Sequence, residues 1–192
     1  MNSNTLKCCA LLICTSLFFA CKKDNNTPTE ESPFFSFFEQ TSIIIDTTPV
    51  ATNTWQYGFT FSPQKNGKIE QLGIKLPVTG GFVVRLWDLK GLVPILLTTQ
   101  DIVSAQQHTP AFVDITPIDA PKDAKFGVSV TANSFYRLTK NDGSKFTFPL
   151  VVGNIKIESF NETIKVGADI SFPNAVNDTR VAPCVNVVFV AD

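Results

Sequence analysis

The sequence predicts an all-β protein: an antiparallel β-sandwich of jelly-roll type that follows an N-terminal signal peptide and a flexible tether. Three observations predict it. Apolar residues recur with period two in one run after another, as strands with one buried face require. Turn signals separate these runs at roughly ten-residue spacing. After the first twenty residues, no stretch combines helix caps with a long amphipathic period.

The runs come in order along the chain. Tyr57, Phe59 and Phe61 alternate with Gly58 and Thr60, and Leu72, Ile74 and Leu76 alternate with Gly73 and Lys75. Val84 and Leu86 fall on one face of a strand whose other face carries Val83, Arg85 and Trp87. Phe126, Val128 and Val130 alternate with Gly127, Ser129 and Thr131. Phe146, Phe148 and Leu150 follow the same rule, then Ile164, Val166, Ala168, Ile170 and Phe172, and Val185, Val187 and Phe189 close the chain. Pro63-Gln64-Lys65-Asn66-Gly67, Gly80-Gly81, Lys90-Gly91 and Lys140-Asn141-Asp142-Gly143-Ser144 lie between them. Asn-Gly and Asp-Gly supply the positive φ that tight hairpins need. About nine to eleven short strands, each with one apolar face, suit a two-layer sandwich.

Composition narrows the function classes. The 192 residues are 44% hydrophobic and 17% charged, with 17 Phe, which excludes a disordered or acidic-tail protein. A net charge of −1 offers no electrostatic reason to expect nucleic acid. A single His makes a multi-histidine metal site or a histidine proton relay hard to build.

The N-terminus reads as an address. Residues 1–7 are polar with one positive charge, Lys7, and residues 8–20 are apolar apart from Thr15 and Ser16. At about 1.5 Å per residue this stretch reaches roughly 20 Å, short of the ~30 Å hydrocarbon core, so it suits a signal peptide and not a permanent span. It ends Leu17-Phe18-Phe19-Ala20-Cys21, and a small residue before a Cys at such a place resembles the lipobox of bacterial lipoproteins. The resemblance implies cleavage before Cys21, a diacylglyceryl group on its thiol and usually an acyl group on its new amino terminus. Two or three acyl chains hold far more firmly than one, since each buried CH₂ contributes about 0.8 kcal/mol. Cys8, Cys9 and Cys14 leave with the signal, and Cys184 alone remains for the folded part, which can form no intramolecular disulfide. Cys184 reads as a small buried hydrophobe, with an intermolecular bridge as the alternative.

Residues 22–33 contain no hydrophobic residue and two Pro, and read as a tether. The expected organisation is therefore signal peptide 1–20, lipidated Cys21 and tether 21–33, and one β-sandwich domain over 34–192. Four Phe among residues 34–38 would be a liability if exposed, so this segment is expected to be a strand packed on the domain. The alternative is a patch facing a membrane or a partner.

From Trp55 onward the chain resembles a family known as domain of unknown function 4082. The matching pieces are Tyr57-Gly58-Phe59-Thr60-Phe61-Ser62-Pro63, Gly67-Lys68-Ile69-Glu70-Gln71-Leu72-Gly73, Val84-Arg85-Leu86-Trp87-Asp88 with Gly91, and the closing Val185-Asn186-Val187-Val188-Phe189. The resemblance implies a β-sandwich of a secreted or surface protein, sometimes beside carbohydrate-active modules, and transfers no catalytic residue.

Candidate chemistry is sparse. His108, in Gln106-Gln107-His108-Thr109-Pro110, reads as a surface-loop residue without a nucleophile elbow near any Ser. Asp88, Asp101, Asp114, Asp119, Asp123 and Glu158 include no pair set apart as a glycosidase would need. Asn141-Asp142-Gly143 and residues 174–178 hold oxygen ligands suited to Ca²⁺ but read more simply as a hairpin turn and a polar loop. Trp87 beside Arg85 could stack on a sugar ring while the guanidinium directs hydrogen bonds; alternatively the indole is buried and the Arg lies along it. Trp55 and Tyr57 carry the same two readings. The expectation is a lipid-anchored, non-catalytic accessory binding module of the cell envelope, at the outer membrane on its periplasmic or surface side. It needs no cofactor or metal, and glycan or envelope protein is its partner. The alternatives are a protein-assembly or adhesin-like structural module and, third, a hydrolase.

Overall fold

The computed structural model describes residues 29–40, 42–48, 51–168 and 170–192. The expected signal peptide, Cys21 and most of the expected tether lie outside the described residues. Among the described residues thirteen strands follow one another: β1 (Glu30–Glu31), β2 (Ile43–Thr48), β3 (Trp55–Pro63), β4 (Gly67–Ile74), β5 (Gly80–Asp88), β6 (Ile95–Ser104), β7 (Ala111–Ala120), β8 (Phe126–Ala132), β9 (Phe135–Lys140), β10 (Leu150–Val152), β11 (Ile155–Ile164), β12 (Ala175–Val176) and β13 (Val185–Ala191). A 3₁₀ turn, Phe35–Glu39, lies between β1 and β2.

Two antiparallel sheets form the body. The smaller runs β1-β13-β4-β7; the larger runs β10-β11-β3-β8-β5-β6, with β12 beside β11. Strands β2 and β9 make a separate ribbon. The chain passes from the larger sheet to the smaller and back along β3, β4 and β5, and again along β6, β7 and β8. This alternation buries one face of each sheet against the other. Tyr57, Phe59 and Phe61 of β3, Val128 and Val130 of β8, and Val84 and Leu86 of β5 supply one wall of the core. Ile69, Leu72 and Ile74 of β4 and Val185, Val187 and Phe189 of β13 supply the other.

Two bulges keep apolar residues facing inward where simple alternation would turn them out. Ile155, Ile157 and Phe160 of β11 are all fully buried although the last is out of phase, and the register shifts between Ile157 and Ser159. On β4 the register shifts between Ile69 and Gln71 against both neighbours, so Ile69 and Leu72 share the inner face. One extra residue resets a period of two.

Three expected strands are corrected. Residues 34–38 fall in the 3₁₀ turn Phe35–Glu39 and its N-cap Phe34: at three residues per turn, Phe34 and Phe37 eclipse and both enter the core, whereas a strand would have pointed them to opposite faces. Phe34 stacks on Phe59 at 4.4 Å, Phe37 on Phe59 at 5.8 Å, and the Phe34 N–H donates to Asn186 Oδ1 at 3.0 Å. The run from Ile164 to Phe172 stops being strand at Ile164. Gly167 at φ +63° turns the chain away, leaving Val166 and Ile170 exposed and Phe172 folded back. Of the run Phe146 to Leu150, only Leu150 is in a strand; Phe146 instead tucks edge-on against Phe37.

Candidate functional site

The outer face of the larger sheet is polar, and its register defines it. Asn161, Gly58, Ser129, Arg85 and Thr99 stand in one row across β11, β3, β8, β5 and β6. Thr163, Gln56, Thr131, Val83 and Asp101 stand in the next, and Ser159, Thr60, Gly127, Trp87 and Leu96 in the third. Facing away from the core, these positions need no apolar side chains, and most have none. They are nonetheless largely shielded from water: Gln56 and Ser129 are 1% exposed and Asn161 6%.

Buried polar groups must pair, and most here do. The Ser129 hydroxyl accepts from Gln56 Nε2 at 3.2 Å and from Trp87 Nε1 at 3.0 Å. Asn161 Oδ1 accepts from the hydroxyls of Thr60 (3.2 Å) and Ser159 (2.7 Å). Arg85 donates to the Thr131 hydroxyl at 3.4 Å. Two cationic donors of this face stay unsatisfied: Arg85 Nε and Lys165 Nζ are buried with no hydrogen-bond partner among the described residues, as is Arg180 Nε beyond it. Lys165 lines a small cavity of about 110 Å³ with Gln56, Thr163, Ile164, Val166 and Ser171.

The segment after β11 roofs part of this face. Phe172 lies edge-on to Trp87 at 6.2 Å. Gly127 admits it, because a Cβ there would stand 2.5 Å from the Phe172 ring and 2.9 Å from the Leu89 side chain. Beyond the roof, Arg180 bridges Glu162 at 2.7 Å and lies over the Trp55 ring at 5.7 Å.

The four candidate ligand contacts thus separate. Arg85 and Trp87 share the outer face, Arg85 half-buried and Trp87 only 2% exposed beneath Phe172. Trp55 is partly exposed at the start of β3, two strands from β5, packed against the core and under Arg180. Tyr57 lies on the opposite face of β3, 1% exposed in the core against Phe135, with burial pushing its hydroxyl well above the ordinary phenol range. In this conformation Tyr57 therefore offers no surface to a ligand. Gln56, Thr163 and Lys165 were not singled out from the sequence. Only their position on the outward phase of β3 and at the end of β11 puts them on the same face of the sheet as Arg85.

Other candidates are placed as follows. His108 is exposed in the β6–β7 loop at φ +66°, its Nδ1 hydrogen-bonded to the Tyr136 hydroxyl. Cys184 is free and fully buried, accepts the Tyr136 N–H at 3.3 Å, and burial pushes its thiol up to about 12. Residues 141–143 form an exposed turn in which Asp142 Oδ1 accepts the Ser144 N–H at 2.9 Å. In residues 174–178, Asn177 Oδ1 takes the Thr179 and Arg180 N–H groups. Among the described residues no three His, Cys, Asp or Glu side chains gather as a metal site would require, and no helix is long and apolar enough to cross a membrane.

No protein-family model matches the chain, and no curated protein matches it.

Proposed function

We propose that the protein is a non-catalytic accessory binding module of the cell envelope, held at the outer membrane through an acylated Cys21, and that it takes a glycan on the outer face of its larger sheet. The observation that carries this reading is the pair of unsatisfied donors, Arg85 Nε and Lys165 Nζ, on a face rich in hydroxyls and amides and bearing an indole. Such a face suits a ligand rich in oxygen acceptors, because each ring hydroxyl or carboxylate can take a bond that the protein leaves unmade. The Trp87 ring supplies a stacking surface once Phe172 swings aside. No cofactor enters this reading. The assembly-module alternative loses its expected patch, since Phe34 and Phe37 are fully buried.

Two experiments test the two halves. Fatty-acid labelling of cells expressing the parent and Cys21→Ser chains should mark only the parent; equal labelling, or none, removes the anchor. A glycan array with the full chain should return oxygen-rich ligands whose affinity falls in Arg85→Ala. Losing charge-assisted hydrogen bonds costs about 1.5–3 kcal/mol, a fall of roughly ten- to a hundred-and-fifty-fold. Unchanged affinity in both Arg85→Ala and Trp87→Ala would remove this face as the site.

A further inference from the structure

The connection from β5 to β6 carries an exposed apolar tip at the end of the molecule where the chain from Cys21 arrives. We infer that this tip docks onto the lipid surface to which Cys21 is anchored, an inference that rests on the anchor proposed above. Leu92 is fully exposed, Val93 is 74% exposed and Ile95 60%, with Pro94 between them also exposed. A solvent-facing turn is ordinarily built from Gly, Asn, Asp, Ser and Pro, and a contiguous apolar tip marks a contact surface. The preceding residue that can reach the body does so: Leu89 packs toward Gly127, and its N–H donates to the Lys125 carbonyl at 2.9 Å. The tip therefore projects from a fixed base.

Hydrogen bonds trace that base to the N-terminal arrival point. Strand β1 pairs Glu30 with Val190 and Glu31 with Phe189, so the chain reaches it past Ala191. The Glu31 carboxylate accepts the Asn154 N–H at 2.6 Å, and the Asn154 carbonyl accepts the Gln64 N–H at 2.7 Å. The Asp123 N–H donates to the Pro63 carbonyl at 2.8 Å. The turns after β10, β3, β7 and β5 and the arriving chain thus share one end of the sandwich. From β11 to β6 that end is four strand spacings wide, about 19 Å at ~4.8 Å each. The nine residues from Cys21 to Glu30 span at most ~30 Å. An acylated Cys21 accordingly keeps this end within a short tether of the bilayer. Lys90, Lys122 and Lys125 are exposed around the tip, interleaved with Asp88 and Asp123, so apolar burial and not charge is the main attraction. Docked in this way, the strands stand along the membrane normal and the polar outer face of the larger sheet looks sideways, free for a ligand.

The test uses the full acylated chain in vesicles of phosphatidylethanolamine and phosphatidylglycerol, with Val93→Trp as the reporter and the parent chain as the background for Trp55 and Trp87. Mass spectrometry of the N-terminus runs alongside. The expected result is a blue-shifted emission from the introduced indole that brominated lipids quench. Vesicle association of the unacylated Cys21→Ser chain should weaken by about tenfold or more in Leu92→Asp/Val93→Asp. An unquenched indole on a chain whose Cys21 is shown to be acylated overturns the docking and leaves the anchor standing. Quenching on a chain without acyl groups upholds the docking and removes the anchor. Self-association that disappears in Leu92→Asp, with no quenching, assigns the tip to a second copy and likewise overturns the inference. These residues are exposed, so an unchanged thermal transition confirms that each variant is folded.

Discussion

Phe34 lies ahead of the main sandwich strands, in a segment joined to β13 through β1, yet its side chain is fully buried. Phe34→Ala removes a ring stacked on Phe59 at 4.4 Å and edge-on to Phe61 at 5.4 Å. Truncating a buried Phe costs about 3–5 kcal/mol, and ring pairs contribute roughly 0.5–1.5 kcal/mol beyond their area. Two such pairs put the loss near the middle of that range or above, about 4 kcal/mol. Against a typical total of about 5–15 kcal/mol this is a large share, and it corresponds to roughly 8–16 °C in Tm for a chain of this size. Urea unfolding followed by tryptophan fluorescence should show a lower midpoint at unchanged slope. Phe35→Ala is the control: it is only partly buried, at 5.8 Å from Phe112, and should lose about 1 kcal/mol. A loss below about 1 kcal/mol for Phe34→Ala, or equal losses for the two variants, would refute the claim that this segment is part of the core.

Two further outcomes are expected. Gly58→Ala should cost about 3 kcal/mol or more, because its Cβ would meet the Val128 carbonyl oxygen and stand 2.7 Å from Ser129 Cα, both backbone; Gly127→Ala, which meets only the far ends of Phe172 and Leu89, should cost about 1 kcal/mol. Comparable urea midpoints for the two would contradict this distinction between backbone and side-chain obstruction. Cys184 should resist a thiol reagent at pH 8 in the folded protein and react at once in denaturant, since burial raises its thiol to about 12 from an ordinary value near 9. The same shift leaves stability untouched below the unfolded thiol's pKa, near 9. It removes stability as pH rises from there toward 12, where the unfolded chain ionises and the folded one cannot. Fast labelling of the native state would show that Cys184 is accessible.

The strands whose two faces differ plainly in polarity were legible. Tyr57, Phe59 and Phe61, or Phe126, Val128 and Val130, declare their inner face because burial selects apolar residues at every second position. Elements that break this period were not. Ile157 and Phe160 look like opposite faces until the bulge between them is seen, and Phe34 and Phe37 look like a strand until a 3₁₀ turn brings both inward. Ile164 to Phe172 alternates well enough for a strand, but β12 pairs with β11 and the intervening chain leaves at Gly167. Of the candidate site, Arg85 and Trp87 could be placed together on an outward face from their spacing alone. That Tyr57 points the other way follows from the same parity, since Gly58 is its outward neighbour and pairs with Ser129 in the Arg85 row.

By itself the sequence determined the class of architecture and the buried phase of its clearest strands. These depend on local patterning, which each segment carries within itself. Tertiary structure alone decided that Phe172 would settle on Trp87 over Gly127, that Gln56 and Lys165 would join Arg85 on one face, and that the apolar tip after β5 would share an end with β1. Those are meetings between residues far apart along the chain, set by strand order and register, and no window of sequence contains both partners.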